Sequence, residues 1–286
     1  MLSVIVPVFN QWDRVQDLLA CMARQTLDQQ AWELLLIDNG SKSISLPEVL
    51  PGNARMLQCE QAGSYAARNH GAAEAQGDFL VFTDADCLPA DDWLERLRGI
   101  AASMVTESCL CAGAVKMISD SDKPSASEIY DLVKGIPQQR YVSQGWATTA
   151  NLMVPRTVFE NLGGFDVTRF SGGDADFCRR AVASGVGLKY LPEAIVQHPT
   201  RKEWSDLVTK VRRMKGGQIA AGTKAQRLTW SVRTMIPPFR PSWHCLTAAH
   251  APWRYRWVAV GVQWRLWLVG LQEMFRLIFG GAPERR

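Results

Sequence analysis

Several features are missing from this chain, and each absence excludes a class. No stretch long enough to span a bilayer is free of charged residues, so a clean membrane span is absent. There is no CxxC pair, and the seven cysteines show no zinc-like spacing; reduced thiols in a cytosolic protein are the simplest account. The first residues, MLSVIVPVFN, lack the basic start and long apolar run of a signal peptide and read as a strand. No internal repeat or low-complexity tract is evident. The basic residues come without a nucleic-acid motif, which leaves nucleic acid a poor partner.

What is present suits one large domain with an appendage. The chain has 286 residues, 47% hydrophobic and 21% charged, enough for a substantial core. Its net charge of +4 hides an asymmetry. Residues 1–199 carry 16 Lys/Arg against 24 Asp/Glu, whereas residues 200–286 carry 16 against 4. Six of the eleven tryptophans fall between Trp230 and Trp267, so the back of the chain is both basic and aromatic.

Apolar, β-branched runs predict strands at LSVIVPVF, WELLLID, ARMLQC, DFLVFTDADC, CLCAGAVKMI and TTANLMV, with short strands within LKYLPEAIVQHP. Helical spacing falls on residues 12–27, Ser64 to Gln76, the segment ADDWLERLRGIAASM, Ala175 to Ser184 and residues 203–222. Residues 121–145 read as a polar loop with a short helix. The alternation over the first 120 residues predicts an α/β domain whose sheet is mostly parallel and flanked by helices. Ligands of such sheets bind at the carboxyl ends of the strands, where Val8–Asn10, Asp38–Ser41 and Asp84–Asp86 all fall.

The tripeptide Asp-Ala-Asp occurs twice. The first copy, Asp84–Asp86, leaves a buried strand, where alternate residues point the same way. Two carboxylates so aimed suit Mg²⁺ or Mn²⁺ on a diphosphate leaving group, against the plainer use of a turn or helix cap. Aspartyl-phosphate chemistry fits poorly, because the motif ends a later strand and runs into Cys87-Leu88. The second copy, Asp174–Asp176, enters a helix, where positions i and i+2 diverge by about 200°. Only one of its acids can face a shared point.

Taken together, VIVPVFN, IDNGS, ARNHGAAEAQGDFLVFTDADC, NLGGFD and GGDADFCRR resemble the family 2 glycosyltransferases of the GT-A fold over about residues 1–200. That resemblance implies a nucleotide-diphospho-sugar transferase fold, a nucleotide-sugar donor, a divalent metal (Mn²⁺ or Mg²⁺) and inversion at the anomeric carbon. It implies that Pro7, Val8 and Phe9 line the base and ribose pocket and that Asp38 accepts from the base, most often uracil. Arg68 would meet the nucleotide or its phosphates, Asp84 the ribose or a metal-bound water, and Asp86 the metal. Asp174 takes the place of the general base and Asp176 that of a structural acid paired with Arg179 or Arg180. The chain departs from the family pattern at Gln11 and at Gly173, both usually Glu; the second change bears on how the base is oriented. His198 would be a third metal ligand, with a structural histidine as the alternative. Asn151 would touch the donor sugar or the acceptor. The plainer readings stay open: an Asx-turn for Asp38, a surface charge for Arg68, packing for Asn69 and Trp146.

The resulting division is a catalytic domain over 1–200, with a nucleotide-binding half (1–120) and an acceptor half (121–200), and a basic, Trp-rich helical extension over 201–286. Trp253 to Phe279 predicts a long helix on which Arg254, Arg265 and Arg276 recur every eleven residues, hence on one face. A narrow polar stripe beside a broad apolar face fits peripheral attachment to an anionic membrane, at the inner face of the cytoplasmic membrane. Packing on the catalytic domain, or on a second copy in a homo-oligomer, is the competing use. The acceptor expected is a saccharide or a lipid-linked molecule. A nucleotidyltransferase on the same sheet and a non-catalytic, membrane-recruited carbohydrate-binding protein are the alternatives.

Overall fold

Four hydrophobic runs form the parallel strands β1 (Leu2–Val8), β2 (Trp32–Asp38), β3 (Ala54–Gln58) and β4 (Phe79–Phe82) of a computed structural model, adjacent in the order β3-β2-β1-β4. The structure describes residues 1–45, 50–103, 109–169, 171–220 and 224–284. Met104 and residues 221–222, the expected ends of two helices, lie outside them. The sheet has eight strands and continues from β4 through β7 (Leu152–Pro155), β6 (Cys109–Ile118), β8 (Gly187–Pro199) and β5 (Leu88–Pro89). Parallel pairing belongs to the first four strands; β4–β7, β6–β7 and β5–β8 are antiparallel. β8 is one continuous strand where the sequence suggests short ones.

Strand alternation divides the core into two layers. Leu2, Val4, Val6, Val8, Leu34 and Leu36 pack under α1 (Trp12–Ala23) and α3 (Trp93–Ser103), whose Leu18, Met22, Trp93 and Leu97 share the cluster. Ile5, Leu35, Ile37 and Phe82 pack against the opposite layer, which contains α2 (Ser64–Glu74), α6 (Arg156–Asn161) and α7 (Gly173–Ala183). Helix α2 lies close to the sheet because Gly71 has no side chain: a Cβ there would stand 2.7 Å from Ile5 Cγ2. The helix ends at Glu74, short of the expected Gln76. The Gln76 amide donates to Glu33, and the Gly77 amide donates to Ser3 Oγ at 2.8 Å.

The expected loop over 121–145 contains two helices, α4 (Ala126–Lys134) and α5 (Gln138–Val142). A capping box starts α4: Ser125 Oγ accepts from the Glu128 amide, and Glu128 accepts from the Ser125 amide. By its contacts the chain forms two compact units. One comprises Met1–Lys116, Pro137–Val167 and Gly173–His198, and holds every site residue the sequence singles out. The other comprises Met117–Ile136, Thr168–Gly172 and Pro199–Arg286. Its helices are α4, α8 (Trp204–Lys215), α9 (Lys224–Met235), α10 (Phe239–Leu246) and α11 (Trp253–Ile278). Tyr130, Val133, Leu207, Val262 and Leu266 form its core, and Tyr130 Oη donates to Gln263 at 2.9 Å.

One expected ligand contact is a structural tie instead. Asn151 is wholly buried. Its Nδ2 donates to the carbonyls of Ala114 and Ala194, both at 2.9 Å, and its Oδ1 accepts from Trp93 Nε1 at 3.0 Å. With these contacts made inside the fold, the side chain does not face a donor or acceptor. Asn151→Ala strips partners from three buried groups, so it should lower unfolding free energy by about 3 kcal/mol, read from urea denaturation. A loss under about 1 kcal/mol contradicts this role.

Candidate active site at the strand ends

Three side chains tie together the loops that follow β1, β2 and β3. Asn10, in the left-handed region at φ 54°, accepts from the Lys42 amide at 2.9 Å, and its own amide donates to Ser41 Oγ. Asn39 donates to the carbonyls of Cys59 and Gln61 and accepts from the Gly63 amide at 2.7 Å. Asp38 is buried and accepts from Trp12 Nε1 at 2.9 Å and from the amides of Gly40 and Ser41 at 3.1 and 3.2 Å. It therefore makes the Asx-type turn. Burial alone would raise its pKa, but hydrogen bonds from Ser41, Trp12 and Gly40 outweigh it and hold the carboxyl below its usual value. Pro7 and Phe9 are half-buried at the strand end, while Val8 points into the core, so alternation leaves only the first two side chains toward a ligand.

The first Asp-Ala-Asp alternates as its spacing predicts. Asp84 and Asp86 keep 32% and 23% side-chain exposure, whereas Ala85 and Cys87 are buried. The segment leaves β4 in a turn closed by the Cys87 amide on the Asp84 carbonyl at 3.1 Å. Antiparallel pairing of Leu88 with Gln197 then brings His198 beside the turn, with Nε2 3.7 Å from Asp86 Oδ1. Ligand atoms of Asp84, Asp86, Cys87 and His198 all lie within 4.8 Å of one another. Two carboxylates and an imidazole fit Mn²⁺ or Mg²⁺ by donor chemistry. Cys87 is a softer donor; it is buried with its Sγ donating to the Ala150 carbonyl at 3.9 Å, and burial and the nearby aspartates raise its thiol pKa.

The second copy diverges. Asp176 pairs with Arg180 at 3.0 Å, one helical turn on. Arg180 also donates to the carbonyls of Leu162 and Gly164, so this acid serves the fold. Asp174 turns the other way, accepting from the Ala175 amide at 2.9 Å and from Tyr65 Oη at 3.3 Å. Burial raises the Asp174 pKa; the Ala175 amide, the charge of Arg68 and the Tyr65 hydroxyl offset part of that rise.

Helix α2 joins the two copies. Tyr65 and Arg68 share one of its faces, with the guanidinium carbon 5.7 Å from the ring centroid. Arg68 is buried and pairs with Asp84. Its Nε has no hydrogen-bond partner among the described residues. A continuous run of contacts thus leads from Asp174 through Tyr65 and Arg68 to Asp84. Gly173 is what admits Tyr65: a Cβ at that position would stand 2.7 Å from Tyr65 Cε2. The departure noted at Gly173 therefore leaves room for the hydroxyl that orients Asp174. Sequence reading missed Tyr65, which has no motif that signals its partner, and placed Asn10 at a strand end without its tie to Lys42 and Ser41. Asn69 spans the Phe165 backbone with both ends of its amide, which accounts for it by packing. An open cavity of about 600 Å³ past β3, lined in part by Glu60, Gln61 and His70, does not include the carboxylates.

With this geometry in view, comparison with known proteins is informative. The family model for glycosyl transferase family 2 matches residues 3–169, and that for glycosyl transferase family group 2 matches residues 131–279. Glycosyltransferase AglE of Haloferax volcanii is 34% identical over 224 residues, 76% of this chain and 72% of that protein. The pre-mycofactocin glycosyltransferase of Mycobacterium tuberculosis is 25% identical over 76% of this chain, which spans only 46% of that protein. Among solved structures, the mannosyltransferase PcManGT from Pyrobaculum calidifontis, in complex with GDP-Man and Mn²⁺, superposes with a TM-score of 0.55 at 17% identity, covering 97% of this chain and 86% of that one. Staphylococcus aureus TarS 1-349 with UDP-GlcNAc gives 0.54 at 16% identity, covering 98% and 92%. These likenesses identify the fold as GT-A. The chain belongs to glycosyl transferase family 2.

Proposed function

We propose that this glycosyltransferase moves a sugar, with inversion, from a nucleotide-diphosphate donor to a hydroxyl of a saccharide or lipid-linked acceptor, with a UDP-sugar as the favoured donor. The observation that carries the reading is the run of contacts from Asp174 to Asp84, which joins a carboxylate of raised pKa to a divalent-metal donor set. Pro7 and Phe9 flank the base and ribose, with Asp38 fixing the turn beside them. Asp84, Asp86 and His198 would hold Mn²⁺ or Mg²⁺, which supplies positive charge to the leaving diphosphate. Arg68 neutralises Asp84 from the protein side, and its charge would favour the donor's phosphates beside that acid.

Asp174 takes the acceptor proton as the hydroxyl oxygen bonds to the anomeric carbon. The bond from that carbon to the phosphate oxygen breaks, and its electron pair leaves with the nucleoside diphosphate. Attack opposite the leaving group inverts the centre. Helix α11, over 253–279, is the proposed peripheral membrane contact, which would suit a lipid-linked acceptor.

Asp174→Asn should lower turnover on the order of 10³-fold while calorimetry shows donor binding retained; near-normal turnover removes the base assignment. The base works ionised, so turnover falls as pH drops through its pKa, and burial puts that acid limb above the ordinary aspartate value. The Tyr65 hydroxyl lowers that pKa, so Tyr65→Phe should move the limb to higher pH; an unmoved limb denies Tyr65 its positioning role. Chelation should abolish turnover, with recovery on adding Mn²⁺, and His198→Ala should weaken Mn²⁺ affinity by about tenfold or more. Full activity in excess chelator excludes the metal.

A further inference from the structure

The helices α9 and α10 set large apolar side chains outward among exposed arginines. Of the sixteen large hydrophobic side chains exposed among the described residues, thirteen lie between Leu228 and Phe279, so the exposure is concentrated in one segment. On α9, Leu228, Val232 and Met235 recur at i, i+4 and i+7, which makes a single helical face, Ile236 follows directly, and all four are more than half exposed. The residue that α9 buries is polar: Thr234, 4% exposed, donates to the Trp230 carbonyl and accepts from Lys215 Nζ at 2.7 Å. Lys215 itself faces inward, and burial lowers its pKa to about 8. On α10 Ser242 and Cys245 are buried, while Phe239 and Trp243, one turn apart, are 66% and 65% exposed.

A helix facing water puts its hydroxyls and charges outward. Here large apolar side chains stand outward among the charges, which suits an outer medium that is apolar beneath a charged layer. Its charge is legible too. Arg227, Arg233 and Arg240 are exposed on these two helices and Arg254 at the start of α11, and residues 200–286 carry 16 Lys/Arg against 4 Asp/Glu. Phe239 packs edge-on against Trp264 of α11, with ring centroids 5.6 Å apart, and Trp267 Nε1 donates to the Thr234 carbonyl at 2.9 Å. The exposed faces are therefore fixed to α11, whose own inner residues Ala259, Val262, Leu266 and Met274 are buried in the unit core. Among the described residues no helix is long and apolar enough to cross a membrane.

We propose that the apolar faces of α9 and α10, with the arginines around them, insert into the headgroup and upper acyl region of an anionic bilayer. Aromatic and aliphatic side chains enter below the headgroups and the guanidinium groups pair with lipid phosphates, the arrangement of a helix lying in the interface. This rests on and relocates the membrane contact proposed above, from α11 alone to the α9–α10 surface that α11 supports.

Flotation of the full chain with vesicles of mixed phosphatidylglycerol and phosphatidylcholine tests it. The chain should co-float with these vesicles, and binding should weaken in high salt and with phosphatidylcholine alone. The α10 variant Trp243→Ser and the separate variant Val232→Ser should each reduce binding about tenfold or more, with melting temperature unchanged. If the wild-type chain stays with the soluble fraction, the proposal fails. It fails as well if Trp253→Ser, Trp257→Ser abolishes binding while the α10 variant binds normally; that result leaves the α11 contact standing. Should sedimentation show a dimer that the α10 variant splits, with no vesicle binding by either, a second copy of this chain covers the face and the lipid is excluded.

Discussion

The buried pairing of Arg68 with Asp84 is the constraint on which the site depends. An arginine inside the fold requires a carboxylate partner, because an unpaired charge there is strongly destabilising. That partner is the first acid of the strand-end copy. Arg68 stands one turn from Tyr65, and Tyr65 reaches the first acid of the helix-start copy. Helix α2 can hold both only because it lies against the sheet, where Gly71 permits the close approach to Ile5. A shift of α2 would therefore disturb the acid expected at the leaving group and the acid expected at the acceptor together.

The same pairing explains why two identical tripeptides have different work. At the end of β4 the backbone alternates, so both acids emerge on one side and His198 joins them through the β5–β8 register. At the start of α7 the backbone turns, so one acid goes to Tyr65 and the other to Arg180. This difference in period was legible in the sequence, as were the four parallel strands, because each follows from local spacing.

What was not legible depends on long-range contacts. Asn151 gathers partners from α3, β6 and β8, and nothing near it in the sequence signals that its amide is spoken for. Tyr65 meets Asp174 across 109 positions, and the vacancy at Gly173 has meaning only once the ring beside it is known. Residues 121–145 read as a polar loop with one short helix; the Ser125–Glu128 capping box and the buried face of Ile129, Tyr130 and Val133 make α4, and the second helix, α5, was not signalled. The basic, Trp-rich composition of the C-terminal section was plain. That its apolar residues face outward on α9 and α10 required the packing of Thr234 and Ser242 to be seen.

The central claim is that the strand-end acids and Asp174 address opposite sides of one anomeric carbon. A crystal structure of the chain with Mn²⁺ and an unreactive nucleotide-sugar analogue tests it most directly. The account predicts Mn²⁺ ligated by Asp86 and His198 and in contact with the diphosphate, with Asp174 facing the anomeric carbon from the other side. Mn²⁺ bound away from those residues, or Asp174 on the same side as the diphosphate, would contradict it.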